Sequence, residues 1–428
     1  MQKIKELYQH FLLSDGVSTD SRKDVTNKIF FALSGDNFNG NKFATDALNK
    51  GAKLCVIDDA SLIINDQYFL VTNVLDALQE LARHHREKSS AKVFAITGSN
   101  GKTTTKELIS SVLGDYTDVI STDGNYNNHI GVPLTLLKIK ATTKIAVIEM
   151  GANHIGEIHS LCEIAQPDVG LITNIGKAHL DGFGSLDGVI SAKNELYRYI
   201  KVNNGKAIVD SDDKLLSDLS KDLERFTYGI KNADLVGEMI DNKPYVKFSW
   251  KSNEKEYECN TQLYGNYNFY NLMAAIATGL YFNVPDEVIN KAITNYIPQN
   301  NRSQQLKTKT NHIVMDAYNA NPASMKEAIC NFVEQEFKNS WYIIGDMFEL
   351  GDYAMNEHQL ITDILVKENA KNVILIGKDF SNTQDHIFLK FVTTNEAKVY
   401  LSKNQIKNSS ILIKGSRGME LEKLLDVL

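Results

Sequence analysis

Apolar positions follow two different periods along this chain, and together they predict a protein of alternating strands and helices. Short apolar runs, typical of buried strands, alternate with stretches in which apolar residues recur every three or four positions, as on amphipathic helices. Strands that alternate with helices predict parallel βαβ units. The predicted strands are 29–33 and 52–57, then 93–97, 145–150, 169–174 and 207–210, and finally 312–316, 341–344, 372–376 and 410–413.

Changes in this pattern divide the chain into three segments. A helical stretch ends in the polar sequence 86–90, and a polar turn at 298–303 precedes a new set of strands. We therefore expect an α/β protein with a small N-terminal α/β domain (1–82), a central domain with a doubly wound, mostly parallel sheet (83–298), and a C-terminal Rossmann-like domain (299–428). Ligands of such sheets bind beyond the carboxyl ends of the strands.

Composition changes this picture mainly by excluding classes of protein. No apolar run approaches the roughly 18 residues that span a bilayer, and the N-terminus starts an amphipathic helix without the apolar core of a signal peptide. We expect a cytoplasmic protein. A formal charge of −7 and the lack of a basic stripe argue against nucleic acid as a partner. The four cysteines lie far apart, which favours reduced thiols.

Residues 97–105 carry the strongest chemical signal in the chain. A glycine-bracketed turn joins an apolar strand to a helix, and Gly98 and Gly101 allow the backbone to turn tightly around an anion. Lys102 would reach the β- and γ-phosphates of a nucleotide, and Thr103 would offer its hydroxyl to Mg²⁺. The glycine spacing is shorter than in the usual P-loop, so a surface turn with a chance lysine is the alternative; the strand and helix on either side favour the phosphate loop.

Two further strands end in polar residues beside this loop. Glu149 ends an apolar strand where a nucleotide-bound Mg²⁺ would lie, although an acid at that position could instead pair with a lysine. His179 follows another buried strand and could reach the same cluster, but a lone histidine is more often structural.

Other candidates depend more on their surroundings. Lys193 lies within a predicted helix, and its spacing alone indicates a solvated lysine beside an acidic neighbour. Asp316 follows a strand in the third segment and suits a ribose or peptide contact. Arg302 lies at the second boundary, where it suits a nucleotide phosphate across a cleft or a hinge salt bridge equally well. The polar loops 345–351 and 414–420 also follow strands directly, a placement that favours function.

Taken together, five strings of the sequence resemble the Mur ligases, ATP-dependent enzymes that form amide bonds in the peptide of the peptidoglycan precursor. These strings are residues 97–104, 149–151, 178–180, 316–325 and 345–351, and the resemblance covers the whole chain. Within the family, the last two resemble the ligase that joins D-alanyl-D-alanine to UDP-N-acetylmuramoyl-tripeptide. The ligase that adds the third residue usually carries Asp-Tyr-Ala-His-Thr-Pro at the corresponding place, and folylpolyglutamate synthase is similar chiefly in the phosphate loop.

The resemblance implies ATP, two Mg²⁺ ions and a carbamylated lysine at Lys193, in a monomer that binds the UDP-linked tripeptide in its N-terminal domain. Asn268 and Asn271 correspond to nucleotide contacts, whereas Tyr267 stands where the family usually has histidine. The implied catalytic residues are Lys102, Glu149, His179 and Lys193, and the implied metal ligands are Thr103, Glu149, His179 and Lys193. The implied ATP contacts are Gly98, Ser99, Asn100, Gly101, Lys102, Thr103, Thr104, Asn268, Asn271, Arg302 and Asp316. The implied contacts to the UDP-linked precursor are Thr19, Asp20, Ser21, Arg22 and Asn127.

The implied reaction has two steps. The tripeptide carboxylate attacks the γ-phosphate of ATP, and the amino group of D-alanyl-D-alanine captures the resulting acyl phosphate. Two rival functions share the phosphate loop: a regulatory ATPase that makes no amide bond, and the sister ligase for the third residue. The polar loops of the third segment argue against the first, and residues 316–325 argue against the second.

Overall fold

The computed structural model describes residues 2–252, 255–298, 302–385 and 387–428. Its N-terminal part forms a four-stranded parallel sheet in the order β1-β2-β5-β6, with a small β3-β4 hairpin beside it. The elements of this part are α1 (Gln2–Leu12), β1 (Val17–Ser18), β2 (Ile29–Phe31), β3 (Ser34–Gly35), β4 (Phe38–Asn39), α2 (Ala44–Asn49), β5 (Leu54–Ile57), β6 (Tyr68–Leu70) and α3 (Val74–Lys88).

The middle of the chain forms a nine-stranded sheet in the order β15-β14-β13-β12-β11-β10-β7-β9-β8. The strands are β7 (Lys92–Thr97), β8 (Val119–Ser121), β9 (Ile145–Glu149), β10 (Val169–Ile172), β11 (Lys206–Asp210), β12 (Glu224–Gly229), β13 (Leu235–Asp241), β14 (Lys247–Ser252) and β15 (Lys255–Asn260). The helices are α4 (Lys102–Gly114), α5 (Gly131–Leu136), α6 (Glu157–Ala165), α7 (Leu180–Phe183), α8 (Leu186–Lys193), α9 (Glu195–Val202), α10 (Lys214–Leu219), α11 (Asn268–Tyr281) and α12 (Asp286–Asn295).

Helices cover both faces of this sheet, as the apolar runs of its strands predict. Along β7, Val93 and Ala95 pack into one hydrophobic cluster, while Phe94 and Ile96 pack into another on the opposite face. A strand that is buried on both faces reads as a continuous apolar run, and this is why β7 could be recognised from the sequence. The antiparallel strands β13–β15 extend one edge of the sheet.

The last part of the chain forms a six-stranded sheet in the order β16-β17-β21-β18-β19-β20, parallel except for the β16-β17 pair. Its elements are β16 (Gln304–Lys307), β17 (His312–Asp316), α13 (Pro322–Glu334), β18 (Ser340–Gly345), α14 (Ala354–Lys367), β19 (Asn372–Ile376), α15 (Lys378–Ser381), β20 (Leu389–Phe391), α16 (Thr394–Lys403) and β21 (Ser410–Lys414).

The predicted α/β architecture with mostly parallel sheets is confirmed. Each predicted segment carries its own sheet, but the boundaries at 82/83 and 298/299 stay predictions: α3 runs across the first, and residues 299–301 of the predicted turn lie outside the described residues. Within the part of the chain that the structure describes, no helix has both the length and the apolar character needed to cross a membrane.

Candidate active site

The predicted phosphate loop lies between the end of β7 and the start of α4, beside the carboxyl end of β10. Gly98 has a φ of +145° and Gly101 a φ of +77°, which L-residues with side chains rarely adopt. A Cβ at Gly98 would lie 2.0 Å from the Thr173 hydroxyl, and one at Gly101 would lie 2.5 Å from the Asn271 side-chain oxygen. Both glycines are therefore required by conformation and by space.

Hydrogen bonds to the neighbouring strand end hold this loop in shape. The Asn100 amide donates to the Asn174 side chain at 2.9 Å, and the Thr173 hydroxyl donates to the Asn100 carbonyl at 2.6 Å. The Ser99 hydroxyl donates to the Gly176 carbonyl at 2.9 Å. The backbone is therefore organised before any ligand binds, which lowers the entropy cost of binding an anion.

The ammonium of Lys102 lies inside the curve of the loop. Its Nζ donates to the carbonyls of Gly98 at 2.7 Å and Ser99 at 3.2 Å. Burial lowers the pKa of Lys102. The Glu149 carboxylate raises this pKa, and the positive charge of Arg302 lowers it further, but both effects are smaller than that of burial. A phosphate would offer this cation a stronger partner than two carbonyl groups.

Glu149 ends β9 with one carboxylate oxygen occupied and the other free. Oε1 accepts hydrogen bonds from the Thr103 hydroxyl at 3.2 Å and from the Asn127 amide at 2.8 Å. Oε2 is buried without a hydrogen-bond partner, and among the described residues no basic side chain lies within ion-pair distance of this carboxylate. A buried, unpaired carboxylate oxygen beside a threonine hydroxyl fits a Mg²⁺ ion, which prefers oxygen ligands.

Asn127 lies beside Glu149 and the predicted phosphate loop. Besides its bond to Glu149, its carbonyl accepts from the Gly151 amide at 2.8 Å. It lines the same cavity as the phosphate loop, whereas Thr19, Asp20, Ser21 and Arg22 line a second one.

His179 lies at the edge of the same cavity, in a left-handed backbone conformation with φ +50°. Its Nδ1 contacts Oε2 of Glu349, which follows β18 in the C-terminal part. This contact holds the pKa of Glu349 below its usual value against the opposing effect of burial. The histidine thus joins the central and C-terminal parts of the chain across the cavity.

Lys193 ends α8 and is buried, with 1% of its surface exposed, so the interpretation as a solvated lysine was wrong. Its Nζ donates a long 3.5 Å hydrogen bond to the Ala152 carbonyl and lies 5.2 Å from the centre of the Phe183 ring. Burial, followed by the nearby charge of Lys102, lowers its pKa to about 7. Its acidic neighbour Glu195 instead accepts from the amides of Gly156 and His159 at the start of α6.

Asn268 and Asn271 lie at the start of α11, underneath the phosphate loop. Asn271 accepts a hydrogen bond from the Thr105 hydroxyl at 3.0 Å and donates to Asn268 at 2.8 Å. Both asparagines and Thr104 line the cavity. The hydroxyl of Tyr267, at the position where the resemblance leads us to expect histidine, shares a 2.7 Å hydrogen bond with Ser303.

Arg302 and Asp316 reach the cavity from the C-terminal part of the chain. Asp316 ends β17, and its carboxylate accepts from the buried Lys414 ammonium at 2.6 Å and from the Ser303 amide at 3.2 Å. The guanidinium of Arg302 lies 3.7 Å from the centre of the Tyr318 ring. Among the described residues no carboxylate lies within ion-pair distance of Arg302, so the structure gives no support to the hinge salt bridge.

The second cavity, of about 1540 Å³, lies between the N-terminal sheet and the central part of the chain. Its wall includes Thr19, Asp20, Ser21 and Arg22, as well as Tyr126. Arg22 forms two hydrogen bonds with the Asp20 carboxylate at 2.9 and 3.0 Å, and these lower the pKa of Asp20 to about 2. The paired guanidinium is exposed at the cavity, where it can meet an anionic ligand.

The main cavity has a volume of about 1750 Å³ and gathers most of the predicted catalytic and nucleotide-binding residues, with Lys193 buried just behind its wall. Sequence reasoning missed several lining residues. Asp210 ends β11, and burial raises its pKa to about 7; its place at the end of a parallel strand was the available signal. Asn321 donates to the Asn100 side chain at 2.7 Å, but no local pattern could predict this contact between residues so far apart in sequence.

Comparison with known proteins identifies relatives over nearly the whole chain. Residues 96–279 match the Mur ligase middle domain, and residues 301–417 match the Mur ligase glutamate ligase domain. The UDP-N-acetylmuramoyl-tripeptide--D-alanyl-D-alanine ligase of Bacillus subtilis is 35% identical over 96% of this chain and 92% of its own length. The Escherichia coli ligase of the same name is 30% identical, over 97% and 93%.

Solved structures give the same result. A crystal structure of MurF from Acinetobacter baumannii superposes with a TM-score of 0.87 at 30% identity, covering 99% of this chain and 97% of that chain. MurF from Thermotoga maritima in complex with ADP superposes with a TM-score of 0.85 at 25% identity, covering 97% of each chain.

Proposed function

The chain belongs to the Mur ligase family, and we propose that it joins D-alanyl-D-alanine to UDP-N-acetylmuramoyl-tripeptide at the expense of ATP. The product is the UDP-linked pentapeptide precursor of peptidoglycan. One observation carries the proposal: a single cavity collects the phosphate loop, the orphaned oxygen of Glu149 and the polar residues of 316–321 from the C-terminal part. These groups suit a reaction in which a carboxylate and a triphosphate must meet.

ATP would bind with its phosphates on the loop at the start of α4. The backbone amides and the positive end of the helix dipole attract the phosphates, and Lys102 moves its bonds from the loop carbonyls to phosphate oxygens. Arg302 approaches from the opposite side of the cavity with its charge unpaired among the described residues. Asp316 is fixed by Lys414 and Ser303, so it can present its carboxylate to the ribose.

Thr103 and Glu149 are the residues that would hold Mg²⁺ beside the phosphates, and the free Oε2 of Glu149 supports this assignment. The metal would supply positive charge that screens the repulsion between the triphosphate and the incoming carboxylate. His179 is a further ligand candidate, and its contact with Glu349 would have to open to free Nδ1.

The first step of the reaction needs positive charge near the phosphates, and the second step needs water to be excluded from the cavity. The tripeptide carboxylate attacks the γ-phosphorus of ATP, the bond to the β,γ-bridging oxygen breaks, and ADP leaves. The amino group of D-alanyl-D-alanine then attacks the acyl carbon, an amide C–N bond forms, and phosphate departs while the nitrogen loses a proton. Water would destroy the acyl phosphate, so contacts that close the cavity, such as Asn321 with Asn100, protect it.

We also propose that Lys193 is carbamylated. Carbamylation needs the neutral amine, and a pKa lowered to about 7 gives a large neutral fraction at physiological pH. Carbon dioxide would add to Nζ with loss of one proton, and the anionic carbamate would supply an oxygen ligand for a second Mg²⁺. Intact-protein mass spectrometry in bicarbonate and in CO₂-free buffer tests this through a mass difference that Lys193→Met should abolish.

The second cavity would hold the UDP end of the precursor. Its position between the N-terminal sheet and the central part lets the peptide reach towards the catalytic cavity. Arg22, oriented by Asp20, is suited to a diphosphate oxygen. We propose that the enzyme acts as a monomer in the bacterial cytoplasm, where it would meet its nucleotide substrates.

Phosphate release from ATP tests the function directly. The protein is incubated with Mg²⁺, ATP and UDP-N-acetylmuramoyl-tripeptide, and D-alanyl-D-alanine is compared with single amino acids as acceptor. We expect release that depends on the dipeptide. Release with a diamino acid on the dipeptide precursor would assign the sister ligase instead, and turnover without any acceptor would indicate a regulatory ATPase.

A further inference from the structure

Arg302 projects into the catalytic cavity with an aromatic ring as its support. Its guanidinium carbon lies 3.7 Å from the centre of the Tyr318 ring, well within the range of a cation–π contact. Its Nε is buried and has no hydrogen-bond partner among the residues that the structure describes. Among the described residues no carboxylate pairs with Arg302, although its charge is close enough to lower the pKa of Lys102.

We propose that Tyr318 is a positioning residue, whose ring holds the guanidinium of Arg302 towards the ATP phosphates without neutralising its charge. This inference rests on the proposed function, because it assigns a role within the same nucleotide site. A carboxylate partner would also fix the arginine, but it would compete with the phosphate for the cation. An aromatic face fixes the planar guanidinium by stacking and leaves its N–H donors available.

The backbone around the pair is fixed from both sides. Tyr318 follows β17 by two residues, and Asp316, the last residue of β17, accepts a hydrogen bond from the amide of Ser303. Ser303 directly follows Arg302 in the chain, so this hydrogen bond holds the backbone at Arg302 close to the backbone near Tyr318. The hydroxyl of Tyr267 binds the Ser303 side chain as well.

Arg417 provides a contrast within the same site. Its guanidinium carbon lies farther from the Tyr318 ring, at 5.8 Å, and one of its nitrogens lies 3.5 Å from the Glu422 carboxylate. The two arginines therefore share one ring but differ in pairing. Arg302 lies closer to the ring and has no carboxylate partner among the described residues, so its positive charge is available to an incoming anion.

Calorimetry can distinguish two roles of the Tyr318 ring: support of Arg302, or direct contact with the nucleotide base. The binding of a non-hydrolysable ATP analogue and of inorganic triphosphate, each with Mg²⁺, is measured for the wild type, Tyr318→Leu, Tyr318→Phe and Arg302→Met. We expect Tyr318→Leu to weaken both ligands about tenfold, since it removes the ring, and Tyr318→Phe to stay within about twofold. Tyr116→Leu, which changes an exposed tyrosine outside the cavity, is the matched control.

A double-mutant cycle gives the second criterion. If the ring acts through the arginine, Tyr318→Leu should add little to the loss already caused by Arg302→Met. Additive losses, or a Tyr318→Leu variant that binds triphosphate as the wild type does, would overturn the proposal; the latter result would assign the ring to the base. Wild-type protein that binds no nucleotide, or shows no dipeptide-dependent phosphate release, would instead overturn the proposed function.

Discussion

Replacing Lys193 by methionine should change how the stability of the protein depends on pH. Lys193 is 1% exposed, and its ordinary pKa of 10.5 is lowered to about 7, chiefly by burial. Between pH 7 and pH 10.5, Lys193 is protonated in the unfolded chain and largely neutral in the folded chain. Folding must therefore remove a proton from this lysine, which costs free energy. The penalty is complete below about pH 7 and fades as the pH rises towards 10.5.

The size of the effect follows from the shift. Each pH unit over which the folded lysine is neutral and the unfolded one is charged is worth about 1.4 kcal/mol. Half of the folded lysines are already neutral at pH 7, so the wild type should gain about 2 kcal/mol of stability between pH 7 and pH 9 from this group. Lys193→Met lacks this gain in stability. The other titrating groups contribute equally to both proteins, so they cancel when the two are compared.

Urea unfolding in CO₂-free buffer at both pH values measures this difference. A Trp341→Phe background leaves Trp250, on the same central sheet that α8 helps to cover, as the reporter of the unfolding of that part. The wild type and Lys193→Met are compared in this background. A pH dependence that agrees within about 0.5 kcal/mol between the two would refute the lowered pKa of Lys193. Retained ligase activity in Lys193→Met would separately refute its carbamylation as a requirement.

Three other substitutions test the proposed roles of residues in the main cavity. Gly101→Ala should lower ATP affinity at least tenfold, because its Cβ would press on Asn271 at 2.5 Å in a φ of +77°; calorimetry with the ATP analogue measures this. Glu149→Gln should shift the Mg²⁺ dependence of phosphate release to higher concentration while leaving the melting temperature unchanged or higher, since a neutral amide replaces a buried charge. Tyr267→Phe loses the hydrogen bond to Ser303 and should raise the KM for ATP two- to fivefold with little change in kcat; an equal fall in kcat would contradict this.

Much of the fold could be predicted because its signals are local. Strands β7, β9, β10 and β11 are buried in a doubly wound sheet, so their apolar runs are visible without knowing their partners. The strands β13–β15, at one edge of this sheet, were missed because polar and charged residues interrupt their apolar positions. Among the described residues they pair with one another and with β12.

Some features of the candidate site could likewise be predicted from local sequence, and others could not. Gly98, Gly101, Lys102 and Thr103 belong to one local turn, so the sequence alone predicted a phosphate loop there, and the end of an apolar strand predicted that Glu149 would lie beside it. Only the tertiary structure decided that one oxygen of Glu149 has no partner among the described residues and that Lys193 is buried.

Contacts between distant segments account for the rest. His179 meets Glu349, and Asn100 meets Asn321, only after the C-terminal sheet docks against the central one. Burial and charge pairing depend on which elements pack together, and a pattern of neighbours along the chain does not contain that information. The sequence by itself therefore determined the buried strands next to the glycine turn, the shape of that turn and the family, while the packing of the three sheets decided the protonation, pairing and orientation of the side chains in the cavity.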